Sequence, residues 1–168
     1  MTKAQYAPEE IIAKLQKEFG SEIKPITEHQ SAIISSGLEP AVVIAGAGSG
    51  KTETMSNRVL YLVANGFATP DQILGLTFTR KAAGELSVRI RKRLRQLSQF
   101  KEFEHITSTS AVTTYHSYAG KLLSEHAIRY GIDADAEPLG EAAIWQIASD
   151  VVRNWSDDSY RNQSAVST

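Results

Sequence analysis

Three glycines, a lysine and a threonine fall within eight residues, Ala45-Gly46-Ala47-Gly48-Ser49-Gly50-Lys51-Thr52, and their spacing points to phosphate chemistry. Glycine leaves backbone N–H groups unshielded and accepts positive φ, so such a loop can wrap an anion as a nest of donors. An apolar run, Ala41-Val42-Val43-Ile44, precedes the loop and a stretch of helical spacing follows it, so the loop sits where a strand turns into a helix. A helix beginning near Lys51 adds its positive dipole end and its unpaired N–H groups. Lys51 is then placed to reach β- and γ-phosphate oxygens, and the Thr52 hydroxyl to ligate Mg²⁺. The pattern G-x-x-x-x-G-K-[ST] asks for glycine at position 45, where this chain has alanine. A glycine-rich turn that binds nothing is the bland alternative, and it leaves the Gly-Lys-Thr ending unexplained.

The elements that must position this loop follow from periodicity. Residues 8–19 read as a helix, with Pro8 in its first turn, Ile11, Ile12, Leu15 and Phe19 on one face and Gly20 as its stop. Thr27 and Gln30 have the spacing of a capping box that opens the next helix. Gln30 either serves only that cap or offers its amide, donor and acceptor together, to an adenine edge. Residues 37–40 break this helix, and 41–44 are expected as a short buried strand. A helix over 51–65 follows, with Met55, Val59, Leu62 and Val63 on one stripe. A second strand is expected over 73–78 and a helix over 81–97, with Ala82, Ala83, Leu86, Ile90, Leu94 and Leu97 inward and most arginines elsewhere. A third strand over 111–114 leads into Tyr115-His116-Ser117 and a helix ending near Gly131. This alternation gives an α/β fold, a parallel sheet covered by helices. Ligands then collect at the carboxyl ends of the strands, where the segments 45–52, 78–80 and 115–117 all lie. Residues 132–140 form a loop, 141–155 a helix with Ile144, Ile147, Ala148, Val151, Val152 and Trp155 inward, and 156–168 a frayed tail.

The bulk properties exclude several classes. The 168 residues suit about one domain with a real core. No cysteine is present, which removes disulfide, zinc-thiolate and cysteine-nucleophile chemistry, and the four histidines lack metal-ligand spacing. Without a long apolar run or a secretion-type amino terminus, a bacterial cytoplasmic location and no membrane partner are expected. Net charge is −1, but between Arg80 and Lys101 eight basic residues face a single acid, Glu85. That cluster is either a solvated helix face or, near Arg80, a phosphate-contacting one.

Four stretches now combine: Thr27-Glu28-His29-Gln30, AGAGSGKT at 45–52, LTFTRKAAGEL at 76–86 and TTYHSYAGKLL at 113–123. In order and interval they resemble the Q motif and motifs I, Ia and Ib of UvrD-like superfamily 1 DNA helicases. GKTETM at 50–55, LVANG at 62–66 and TYHSYAGKLL also resemble actinobacterial AdnB-type helicase–nuclease subunits. The resemblance implies a RecA-like P-loop lobe. It implies that Gln30, Ala45, Gly46, Ala47, Gly48, Ser49, Gly50, Lys51, Thr52 and Glu53 surround ATP, with Lys51 and Thr52 catalytic and Thr52 on Mg²⁺. Phe78, Thr79, Arg80, Tyr115 and His116 would line a single-stranded DNA path. Read from spacing alone, Phe78 is equally a strand-end core residue and His116 equally a hydrogen-bonded loop histidine.

Two positions depart from the family pattern. Glu53 stands where many relatives carry an arginine that approaches the nucleotide base, and Arg80 replaces the asparagine of the TFTN form. Hydrolysis also needs an acidic pair and arginines from a second lobe. Asp157-Asp158 follow no apolar strand and do not fit that pair. The expected organisation is therefore an amino-terminal helix (1–23), a partial ATP-binding domain 1A (24–131) and the start of a helical domain 1B (132–168), ending before Walker B. The implied partners are single-stranded DNA, the second RecA-like lobe and a helicase–nuclease partner subunit. The rival readings are a small P-loop kinase and a non-catalytic nucleotide-dependent interaction module using Trp145 and Trp155.

Overall fold

A computed structural model of the chain describes residues 4–107, 110–133 and 139–155. The expected tail at 156–168, its two aspartates and most of the 132–140 loop lie outside the described residues. In order, the elements are helices α1 (Pro8–Phe19), α2 (Glu28–Ile34) and α3 (Lys51–Ala64), strand β1 (Leu74–Thr77), helix α4 (Arg80–Leu97), strand β2 (Ala111–Thr114) and helices α5 (Tyr115–His126) and α6 (Glu141–Asn154). The described residues form two compact units, which divide within α5 between Lys121 and Leu122.

Local chemistry sets the helix starts in the first unit. Pro8 occupies the first turn of α1, and the Ala7 N–H donates to Glu10 Oε2 at 2.9 Å. Thr27 and Gln30 close the expected capping box on α2: the Gln30 N–H donates to Thr27 Oγ1 at 3.2 Å and the Thr27 N–H to Gln30 Oε1 at 3.0 Å. Thr79 Oγ1 accepts from the Ala82 N–H at 3.1 Å and opens α4. The apolar stripes of these helices meet in one core, in which Leu15, Ile34, Leu60 and Leu97 are fully buried among Ile11, Ile90, Leu94 and Phe103. Lys14 ties α1 to the 100–103 segment, pairing with Glu102 while its ammonium lies 5.4–5.9 Å from the ring centres of Tyr6, Phe100 and Phe103.

The sheet is parallel, as the alternation of strands and helices requires, with Leu74 opposite Ala111 and Thr77 opposite Thr114. Helices flank it, and α4 packs on both strands. Among the described residues it has two strands, because 41–44 is not the strand that its composition suggests. Neither β1 nor β2 takes up these residues, and Val42 and Ile44 are 90% and 96% exposed. Two further expectations also fail. Ala82 is exposed on α4, and Met55 is nearly half exposed on α3. The second unit departs most: α6 forms over the expected residues but buries none of them, and its Ile144, Ile147, Val151, Val152 and Trp155 are exposed. A helical period identifies an apolar face, not a surface for it to pack on.

One arginine closes the end of α2. Arg58 on α3 donates to the carbonyls of Ile33 (3.2 Å), Ile34 (2.9 Å), Ser36 (3.0 Å) and Gly37 (2.7 Å), which lie at and just beyond that helix end. Arg58→Ala should lower unfolding free energy by about 1–3 kcal/mol, as two partly buried and two exposed carbonyls lose a charged donor. Urea denaturation checks this, and an unchanged midpoint would contradict the assigned role.

Candidate functional site

The glycine loop bends as its composition requires. Gly48 and Gly50 adopt φ of 76° and 82°, in the left-handed region. Space matters as well as conformation at Gly50, since a Cβ there would stand 2.8 Å from Gln30 Nε2. The Ser49 hydroxyl donates to the Gly46 carbonyl at 2.9 Å, and the Lys51 ammonium donates to the Ala45 and Gly46 carbonyls at 3.1 and 2.6 Å. Lys51 therefore folds back over its own loop, and Thr52 is exposed in the first turn of α3.

Gln30 does more than cap a helix. Its Nε2 donates to the Ser49 carbonyl at 3.1 Å, pinning the loop to the start of α2. Its Oε1 keeps a second lone pair and its Nε2 a second hydrogen, so the amide retains one acceptor and one donor beyond these bonds.

A cavity of about 1130 Å³ opens between the loop and α4, lined by Gly48 to Glu53, Gln30, Lys24, Arg89 and Lys92. A second cavity of about 750 Å³ lies on the other flank, lined by Ile33, Val43, Ile44, Met55 and Arg58 and by Ala45, Ser49 and Lys51 of the loop. The first has the chemistry for a phosphorylated ligand, because it takes in Gly48, Gly50, Lys51 and Thr52 together. The second owes its apolar wall partly to residues 43 and 44, which stand outside the sheet.

Glu53 faces away from the role of a simple loop residue. Its Oε1 accepts from Arg93 Nη2 at 2.9 Å and its Oε2 from Arg89 Nη1 at 2.5 Å. Burial raises the Glu53 pKa, but the hydrogen bonds and charges of Arg93 and then Arg89 outweigh it and hold the carboxyl below its ordinary value. Most α4 arginines lie off the inner face, as expected, and Arg93 is the exception. Its side chain is 7% exposed, and it also donates to Gln96 Oε1 at 3.1 Å and to the Glu22 carbonyl at 3.3 Å. The signal was present in the spacing, since 86, 90, 93 and 97 form one helical stripe.

The residues expected at the DNA path meet at the carboxyl edge of the sheet. With Thr77 opposite Thr114, the following residues Phe78 and Tyr115 come together, their ring centroids 5.1 Å apart and tilted by 36°. Phe78 is 85% exposed, which removes its reading as a core residue. Thr114 Oγ1 accepts from the Ser117 N–H at 3.1 Å and orders the turn that presents Tyr115 and His116, both exposed. Thr79 and Arg80 are exposed at the start of α4, whose first turn contains no acid. Placing Arg80 and Lys81 at a positive helix end is unfavourable in the absence of an anion.

A glycine loop at a helix start, beside a parallel sheet flanked by helices, defines a RecA-like P-loop lobe. The model of the UvrD/REP helicase N-terminal domain matches residues 26–167, and the chain belongs to that family. It is 29% identical over 143 residues to the ATP-dependent DNA helicase PcrA of Staphylococcus epidermidis, a match covering 83% of this chain and 18% of that protein. To the ATP-dependent DNA helicase PcrA of Staphylococcus aureus it is 29% identical over 130 residues, covering 77% and 17%. The chain thus spans less than one fifth of the length of these relatives. No helix among the described residues is long and apolar enough to cross a membrane.

The Glu53 clamp has a measurable signature. Because its pKa is depressed in the folded state, the stability it contributes is present above the unfolded carboxylate value and is lost as pH falls through the folded one. Glu53→Gln should destabilise by about 2–4 kcal/mol at pH 7, since Arg93 then remains buried without its counter-charge. The gap between the two proteins should narrow from about pH 5 downwards. Thermal unfolding against pH checks both, and a constant gap down to pH 3 would contradict the pairing.

Proposed function

We propose that the chain is the N-terminal ATP-binding portion of an ATP-dependent DNA helicase, whose parent translocates on single-stranded DNA and unwinds duplex in repair or recombination. The observation that carries this reading is the pairing of two features in one UvrD-family lobe. The phosphate loop has Gly48 and Gly50 at positive φ, and the exposed Phe78–Tyr115 pair stands at the sheet edge.

In this reading Gly46 to Thr52 cradle the β- and γ-phosphates and Lys51 exchanges its loop carbonyls for phosphate oxygens. The fit is physical: a side chain at Gly50 would meet Gln30, and the loop leads directly into the N-terminus of a fourteen-residue helix, whose first N–H groups lack partners within the helix. The Thr52 hydroxyl would help hold Mg²⁺, which would supply charge neutralisation for the phosphates. Gln30 uses its remaining donor and acceptor for an adenine edge.

Phe78 and Tyr115 offer stacking faces to bases, which tolerates any sequence and so suits a motor on arbitrary DNA. Arg80 and Lys81 find in DNA phosphates the anion that their helix end lacks. The chain alone binds nucleotide modestly and DNA weakly, and does not unwind. Turnover in the parent draws on an acidic pair and on arginines from a second lobe. The domain 1A and 1B division, a helicase–nuclease parent of AdnB type with its partner subunit, and docking of the exposed α6 face on the remainder of the parent belong to the same proposal.

Lys51→Ala should abolish measurable ATP binding by calorimetry, and an unchanged affinity would overturn the loop assignment. Phe78→Ala should weaken single-strand binding about five- to hundredfold with nucleotide affinity intact. Equal DNA affinity of the two proteins would remove the stacking role.

A further inference from the structure

The carboxylate of Glu53 holds two arginines, and only one of them is needed to balance it. Arg93 is buried and committed to Glu53, Gln96 and the Glu22 carbonyl. Arg89 makes its ion pair through Nη1 alone, is 42% exposed and lines the same cavity as the phosphate loop. We infer that Arg89 is a nucleotide-contacting residue, whose guanidinium, tethered by Glu53, forms a wall for the base of a nucleoside triphosphate. The inference rests on the phosphate-loop reading above and adds a residue to it.

The charges of the cavity wall on this side are largely paired with one another. Glu22 is paired with Lys92, and Glu53 with Arg93 and Arg89, and the lining adds Lys24, Glu85 and the apolar surfaces of Pro25 and Val88. A planar aromatic ring suits that mixture. It can lie against the aliphatic surfaces and against the flat guanidinium, which stacks on aromatic faces while its edge stays bonded to a carboxylate. The phosphates remain over Gly48 to Thr52, which line the same cavity. Tethering matters because a guanidinium already fixed by Glu53 loses little freedom when the base arrives.

The test compares ATP with inorganic tripolyphosphate, each bound to the 168-residue chain with Mg²⁺ and followed by calorimetry. Arg89→Ala should weaken ATP about three- to thirtyfold and leave tripolyphosphate within twofold of wild type. Arg89→Lys, which keeps the charge but not the plane, should lose most of the same factor. Arg91→Ala, an equal charge change on an exposed α4 position, should leave ATP binding unchanged. Wild-type affinity for ATP in Arg89→Ala, or equal losses for both ligands, would overturn the inference with the loop reading intact. Failure of the wild-type chain to bind either ligand would instead overturn the loop reading and this inference with it. Near-UV circular dichroism of each variant separates a lost contact from a lost fold, and Arg89→Lys carries the decision if the alanine variant unfolds.

Discussion

The Glu53 carboxylate ties the helix that follows the phosphate loop to the helix that follows β1. It stands in the first turn of α3, directly after the phosphate loop, and its two bonds cross to α4. Without it the buried Arg93 would lose its bonded counter-charge and keep only the more distant Glu22 carboxylate, a costlier state than an exposed ion pair being broken. Because α4 starts where β1 ends, this one interaction couples the loop at one end of α3 to Phe78 and Arg80 at the edge of the sheet. Gln30 supplies the complementary restraint from the other side, through Ser49.

Much of this arrangement was legible in the sequence. Apolar period and end signals place α1 over its observed residues and α3 and α4 within about one residue of theirs, and β2 falls where Ala111 to Thr114 suggests. The Thr27–Gln30 box forms as its spacing requires. Parallel pairing follows from alternation, and with it the meeting of Phe78 and Tyr115, because residues that succeed paired strand ends must be neighbours.

What was not legible is tertiary. Residues 41–44 have a strand's composition, but a strand exists only by pairing, and neither described strand pairs with them. The apolar face of α6 has the right period, yet none of its residues is buried among the described residues. Arg58 reaches carbonyls more than twenty residues away in the chain, which no local pattern encodes. Arg93 is a different kind of miss: its position on the buried stripe was readable, but its charge suggested solvent, and only the presence of Glu53 on the facing helix reconciles the two.

The claim on which the rest turns is that the loop before α3 receives the phosphates of a nucleotide, and amide-resolved NMR titration of the chain with Mg²⁺–ATP tests it most directly. The account predicts that the largest chemical-shift changes fall on the N–H groups of Gly48, Ser49, Gly50, Lys51 and Thr52. Changes absent from those amides at saturating ATP, or centred elsewhere in the chain, would contradict it.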